Sequence, residues 1–237
     1  SNCQICNEKL LLIFKLGNQP LCDDLIKIGS NKKNKLFNTN ILFCKSCIIA
    51  YNQVLVPPKK LFPKNYHYRS NLTKDVLNGM RDLVKETLNK YGSLKKKIVL
   101  DIGSNDGSLL DEFKSKGAIT IGVEPTGAAK ASFQNHLIYN EYFTKKTSIK
   151  IKNKFKKIDF ITFTNVFAHI ENLNNLINNI KPLLSKTTKI IIENHYLGSV
   201  IEKKQFDTFY HEHPRTYSLT SFLKIIEKFN LNLEHCS

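Results

Sequence analysis

The stretch Lys97-Ile98-Val99-Leu100-Asp101-Ile102-Gly103-Ser104-Asn105-Asp106-Gly107-Ser108-Leu109-Leu110 decides the fold. Its first half is a short apolar run that reads as a buried strand, and Ser108 opens a helix. Between them lie Gly103 and Gly107, in a turn where glycine lets the backbone pass close to a ligand and the helix N-terminus presents free N–H groups. The spacing is not the GxGxxG of dinucleotide loops, and an acidic residue, Asp101, ends the strand. A carboxylate at that position repels a pyrophosphate and suits a ligand that carries an ammonium group.

Working outward, apolar runs at residues 119–123, 137–139, 160–163 and 189–192 read as further strands. Helices are expected at 128–133, 173–184 and 219–229. Before the glycine loop, Leu72, Val76, Leu77, Met80, Leu83, Val84 and Leu88 recur at helical spacing across residues 72–91. Strands alternating with helices imply an α/β domain with a parallel sheet. Glu124 ends the second of these strands, where an acidic side chain can accept hydrogen bonds from two ribose hydroxyls. Together with Asp101 it points to S-adenosylmethionine rather than NAD as cofactor. The competing reading is a glycine turn that serves only chain reversal.

The chain of 237 residues is long enough for a substantial core. No uninterrupted apolar run approaches the roughly 18 residues of a transmembrane helix, and no membrane partner is expected. No basic-then-apolar leader precedes the first cysteine, and the chain begins at Ser1 without methionine, consistent with a trimmed start. A cytoplasmic location is the expectation. The net charge of +16 raises the question of an anionic partner, nucleic acid or a nucleotide-linked small molecule. The lysines are dispersed rather than gathered in a stripe, which favours a solvated surface over a nucleic-acid footprint.

Residues 1–56 hold five of the six cysteines, and Val56-Pro57-Pro58 reads as an extended connector over 57–71. The remainder, 72–237, is expected to form the α/β core. Cys3-Gln4-Ile5-Cys6 and Cys44-Lys45-Ser46-Cys47 each place two thiolates on one knuckle, and two knuckles complete a tetrahedral sulfur shell suited to structural Zn²⁺. The spacer exceeds that of compact zinc ribbons. Disulfides and a thioredoxin-like redox pair are the rival readings. Cys22 and Cys236 stand alone and read as packed or incidental thiols.

Phe206-Asp207-Thr208-Phe209-Tyr210-His211-Glu212-His213 follows the fifth strand and packs a phenol, a carboxylate and two imidazoles into four consecutive positions. An imidazole can accept a proton near neutral pH, Tyr210 can stabilise an oxyanion, and Glu212 can orient an imidazole. A satisfied histidine pair on a loop and a His-x-His metal site are the alternatives. Asn165-Val166-Phe167-Ala168-His169 follows the fourth strand, and Tyr66-His67-Tyr68-Arg69-Ser70 precedes the core; either can serve a site or merely pack.

The ordered set of the paired CxxC knuckles, Gln19-Pro20-Leu21, Val56-Pro57-Pro58, Tyr66 to Ser70, Asp101 to Gly107, Asn165 to His169, and Ile192-Glu193-Asn194-His195-Tyr196 leading into Phe206 to His213 resembles the deoxysugar C-methyltransferases, nearly end to end. The resemblance implies a Rossmann-like class I methyltransferase core with a small N-terminal zinc-binding domain. The family's further C-terminal α/β domain would lie beyond Ser237, where Leu231-Asn232-Leu233-Glu234 reads as the opening of another strand.

It implies S-adenosylmethionine held by Asp101, Gly103, Ser104, Asn105, Gly107, Glu124 and Asn165. A nucleotide-linked 4-keto sugar would meet Tyr66, His169 and Asn194. His213 would be the base, with Tyr210, Glu212 and Tyr68 as the other catalytic groups and His211 left to structure. Pro214 stands where the family pattern leads one to expect a bulkier residue, a departure that bears on sugar specificity. An O- or N-methyltransferase for another small molecule, and a zinc-containing nucleic-acid-binding module, remain the alternative functions. The oligomeric state is open.

Overall fold

The computed structural model describes residues 1–237. In chain order, strands β1 (Leu11–Gln19), β2 (Phe37–Cys44) and β3 (Ile49–Asn52) are followed by helices α1 (Pro58–Leu61) and α2 (Lys74–Tyr91). Then come β4 (Ile98–Ile102), α3 (Ser108–Ser115), β5 (Ile119–Val123), β6 (Leu137–Tyr139), α4 (Lys145–Lys154), β7 (Phe160–Thr164), α5 (Leu173–Ile180) and β8 (Lys189–Glu193). The chain ends with α6 (Leu197–Glu202), β9 (Arg215–Thr216) and α7 (Leu219–Lys228). Two compact units result. One joins Ser1–Leu61, Phe167–Leu173 and Asn194–Ser237; the other joins Phe62–Val166 and Asn174–Glu193.

The second unit is built on a parallel sheet of order β6-β5-β4-β7-β8. Strand β4 starts the sheet and pairs with both β5 and β7, so the order reverses beside it. In open α/β sheets that switch point places a crevice beyond the strands' carboxyl ends. Val99, Leu100, Ile121, Ile161 and Phe163 are fully buried, as expected of parallel strands covered on both faces. Met80 and Val84 of α2 and Leu109 and Phe113 of α3 pack with Val99 and Phe160 into one core cluster. Helix α2 stops at Gly92, whose φ of 75° and N–H bond to the Leu88 carbonyl form a glycine terminus.

The first unit is an antiparallel sheet of order β1-β2-β3-β9. Strand β9 arrives from the far end of the chain and pairs Thr216 with Ala50 and Arg215 with Tyr51. Arg215 is buried. Its Nε donates to the Tyr217 hydroxyl at 2.8 Å, Nη1 to the Glu171 carbonyl at 3.2 Å and Nη2 to the Ile170 carbonyl. One cation thereby ties β9 to the 167–173 segment.

Three expectations shift. The helix expected to run to Leu184 breaks at Ile180 into a 3-10 turn, because Pro182 removes a donor. The run 128–133 is a 3-10 turn, Gly127–Ser132, rather than an α-helix. Leu231-Asn232-Leu233-Glu234 forms no strand.

Candidate functional site

The glycine loop follows β4 in the second unit. Gly103 has a φ of +77°, and a Cβ there would sit 2.5 Å from Val166 Cγ2; at Gly107, φ is +87° and a Cβ would meet Ser132 Cβ at 2.6 Å. Both positions therefore require glycine. Asp101 is buried, and Oδ1 accepts a 2.6 Å hydrogen bond from the Thr162 hydroxyl. Burial raises its carboxyl to about 7, with the Thr162 bond opposing and the nearby Glu124 charge adding to the shift. A cationic group beside Asp101 would draw its proton off again.

Glu124 is also buried. Its Oε2 accepts from the Asn105 N–H at 3.0 Å and its Oε1 from the Thr126 N–H at 2.8 Å. Each oxygen retains a second lone pair, so the carboxylate is held rigid while still able to accept from a diol. The Ser104 hydroxyl is buried without a partner. Asn105 (φ 48°) and Asn165 (φ 55°) adopt the left-handed region that asparagine tolerates. The side chain of Asn165 hydrogen-bonds Glu193, whose carboxyl burial pushes upward.

The loop also anchors the aromatic segment. Asn105 Oδ1 accepts from the Ser70 N–H at 3.1 Å, its Nδ2 lies 3.3 Å from the Tyr68 carbonyl, and Asp106 Oδ2 accepts from the Asn71 N–H at 2.9 Å. Arg69 Nη1 donates to the carbonyls of both Tyr66 and Tyr68 at 2.7 Å. Tyr66 and Tyr68 are thus grouped with Asp101, Gly103, Ser104, Asn105, Gly107, Glu124 and Asn165 in the second unit.

The remaining candidates lie in the first unit. His213 has its ring 5.0 Å from His169, 4.2 Å from His195 and 4.2 Å from Tyr210, centroid to centroid. Its Nδ1 is 2.9 Å from the Thr208 carbonyl, and His169 Nδ1 is 2.6 Å from the Glu212 carbonyl. A carbonyl only accepts, so both Nδ1 atoms carry the proton and both Nε2 atoms keep a lone pair when the rings are neutral. Burial, then His169 and His195, lower His213 to about 2 against the opposing Thr208 bond; burial and His169 lower His195 to about 4. Both rings are neutral at physiological pH.

Glu212 places Oε1 2.9 Å from the Cys22 thiol. Nothing in the sequence pairs Cys22 with that residue. His211 is buried, with Nε2 3.3 Å from the Asn38 carbonyl and 3.4 Å from the Thr39 hydroxyl. Asn194 keeps both side-chain polar atoms buried and unpartnered, as does His195 at Nε2. His195 has no role assigned from the sequence; it lies next to Asn194 within the run Ile192 to Tyr196.

Cys3, Cys6, Cys44 and Cys47 bring their sulfur atoms within 4.8 Å of one another. Burial would raise Cys3, but hydrogen bonds from the Tyr51 hydroxyl and from backbone N–H groups of Cys6 and Ile5 bring it down to about 7. Burial raises Cys44 to about 11 and pushes Cys47 up as well. Four crowded thiols in a partly dry pocket need a cation to become thiolates together. The donor set fits Zn²⁺ in a closed structural site.

Residues 69–236 match the family model described as "Methyltransferase domain". The chain belongs to the methyltransferase-domain family. Residues 3–62 match a second model, "Putative zinc binding domain", which covers the four-cysteine cluster. Over 235 residues, 98% of this chain, it is 25% identical to the C-methyltransferase NovU of Streptomyces niveus; the match covers 56% of that relative's length. A structure described as a "putative O-methyltransferase" from Nostoc punctiforme superposes with a TM-score of 0.50 at 13% identity, covering 66% of this chain and 51% of that one. That likeness supports the fold alone. A SAM-dependent methyltransferase from Archaeoglobus fulgidus gives 0.46 at 22% identity, over 67% and 72% of the two chains.

The chain therefore has the α/β core expected from the glycine loop, in a methyltransferase domain, and an N-terminal region that matches a zinc-binding domain. Its parallel sheet, glycine cradle and two buried carboxylates fit S-adenosylmethionine. No helix is long and apolar enough to cross a membrane.

Proposed function

We propose that this methyltransferase transfers the methyl of S-adenosylmethionine to the carbon next to the ketone of a nucleotide-linked 4-keto deoxysugar, in the cytoplasm. The observation that carries the reading is the fixed tautomer of His213. A half-buried neutral imidazole, tied by Nδ1 to the Thr208 carbonyl, keeps its lone pair on Nε2 beside the phenol of Tyr210. The similarity to a relative named as a C-methyltransferase supports carbon as the acceptor atom.

Asp101, Gly103, Ser104, Asn105, Gly107, Glu124 and Asn165 are the residues that would hold the cofactor. When bound, S-adenosylmethionine supplies an electrophilic methyl group. The chain's task is to make the acceptor carbon nucleophilic. In this reading His213 Nε2 takes the proton from the carbon α to the ketone, and the C–H electron pair moves toward the carbonyl oxygen. Tyr210 and Tyr68 are the candidates to donate a hydrogen bond to that oxygen, where the negative charge develops. Tyr66, His169 and Asn194 would contact the sugar nucleotide. The carboxylate of Glu212 would hold its stretch of loop through Cys22.

Because His213 is a weak base, deprotonation depends on stabilising the oxyanion at the same time. The test is His213→Asn with a nucleotide-linked 4-keto-6-deoxyhexose. Loss of a positioned base lowers kcat by about 10²-fold or more, and methyl transfer at the wild-type rate would remove His213 from this role. Wild-type protein should also exchange the α-hydrogen with deuterated water when the cofactor is left out. Methyl recovered on an oxygen or nitrogen of the product would overturn carbon methylation itself.

A further inference from the structure

Within the histidine cluster, His195 is the member that no role above uses. It follows Asn194 beyond β8, its ring stacks 4.2 Å from His213 at an interplanar angle of 32°, and its Nε2 is buried with no hydrogen-bond partner. His213 and His169 each spend Nδ1 on a backbone carbonyl, so their tautomers are set by the protein. Nε2 of His195 has no such partner. A buried imidazole nitrogen without a bond gives up its hydration and gains nothing in return, which is the position of a group whose partner arrives with a ligand. The adjacent Asn194 is in the same state at both of its side-chain polar atoms.

We infer that His195 is an acceptor-positioning residue, its Nε2 hydrogen-bonding an uncharged oxygen of the acceptor, a hydroxyl or keto group, against the face of His213. This rests on the sugar reading above and extends it to a residue outside the base and its phenol. Three features select a neutral oxygen over a phosphate. A neutral imidazole offers no charge to attract an anion. Asn194 presents an unpartnered donor, Nδ2, together with an unpartnered acceptor, Oδ1, a pair that a hydroxyl can satisfy and a phosphate, which only accepts, cannot. The two neighbouring imidazoles, His213 and His169, face a carbonyl each rather than a cation. A hydroxyl or keto oxygen, by contrast, can pair with Nε2 in either tautomer when it is a hydroxyl, and with Nε2–H when it is a ketone.

The test compares His195→Phe, which preserves a flat ring against His213, with His195→Gln, whose amide reaches the Nε2 position. Binding of a nucleotide-linked 4-keto-6-deoxyhexose and of the free nucleoside diphosphate is measured by calorimetry, together with kcat and KM. Loss of one hydrogen bond to the sugar predicts that His195→Phe binds the sugar nucleotide about ten-fold more weakly, with KM raised by a similar factor. Affinity for the free nucleoside diphosphate and for S-adenosylmethionine stays at the wild-type value, which also shows that the variant is folded. His195→Gln recovers most of the loss. Equal sugar-nucleotide binding by wild type and His195→Phe, or an equal loss for the free diphosphate, overturns the inference and leaves the proposed function standing. A wild-type protein that binds the free diphosphate no worse than the sugar nucleotide and methylates neither overturns both.

Discussion

Histidines that crowd one another stay neutral, and the consequence is measurable in stability. An unfolded histidine titrates near 6.5, whereas His195 is held to about 4 and His213 to about 2, in each case first by burial. Below pH 6.5 the unfolded chain therefore binds protons that the folded chain refuses, so these two groups favour folding fully above that pH and lose their contribution as the pH falls through it. Asp101 acts in the opposite sense. Raised from 3.8 to about 7, it favours the folded state at low pH and loses that contribution as the pH rises between those values. Wild-type stability alone thus mixes two slopes, and the informative quantity is the difference between wild type and His195→Phe. Urea unfolding from pH 7.5 to 4 should show the variant losing less stability than wild type below pH 6.5. A constant difference across the range would mean that the imidazole is not held neutral.

At the scale of elements, the most exposed single dependence is the attachment of β9. Two residues form this strand, too short to hold a sheet position on two backbone pairings, and the buried guanidinium of Arg215 supplies the rest by bonding Tyr217, Glu171 and Ile170. Arg215→Leu leaves the Ile170 carbonyl and the Tyr217 hydroxyl without their donor, while the Glu171 carbonyl keeps that of Gln4 Nε2 at 3.0 Å, and each unsatisfied buried group costs about 1–3 kcal/mol. The variant should melt several degrees lower, and Arg215→Lys, with one compact ammonium, should recover little.

Elements of this kind were also the hardest to read in the sequence. Strands β4 to β8 are legible because each is a short apolar run, buried along most of its length in β4, β5 and β7 and half-buried in the edge strands β6 and β8, and β5 and β6 fall at the expected residues. Strands β1 and β9 are not. Leu11, Leu12, Ile13 and Phe14 are all exposed, so β1 lacks the alternation that marks a half-buried strand, and β9 exists only through a partner far away in the chain. Helix α4 is lysine-rich and weakly apolar, and what starts it is the Thr144–Thr147 capping box. The glycine loop and the cysteine knuckles are local patterns and could be read directly. The gathering of His169, His195 and His213 from three separate segments is tertiary, and spacing does not reveal it.

The molecule as a whole has two compact units with different sources of stability, and metal removal should separate them. The second unit has a five-stranded sheet and an extensive apolar cluster of its own. The first has a small cluster of Ile41, Ala50 and Leu197, with Leu16, Phe43 and Phe209 packed around it. Strands β1 to β3 lie in the first 61 residues of the chain, a stretch short enough for a structural metal to contribute much of its stability. The four thiols connect the residues before β1 to the end of β2 and the turn into β3, and β3 in turn carries β9. Chelation should release one Zn²⁺ per chain, and hydrogen exchange should then quicken in β1, β2, β3 and β9 while β4, β5 and β7 keep their protection. Cys44→Ser, which removes one buried ligand, should give the same pattern without chelator. Equal loss of protection in both sheets would mean that the units do not unfold separately. Unchanged exchange in β2 and β3 after zinc release would mean that the metal does not hold this sheet together, since its thiols then close nothing that the backbone does not already close.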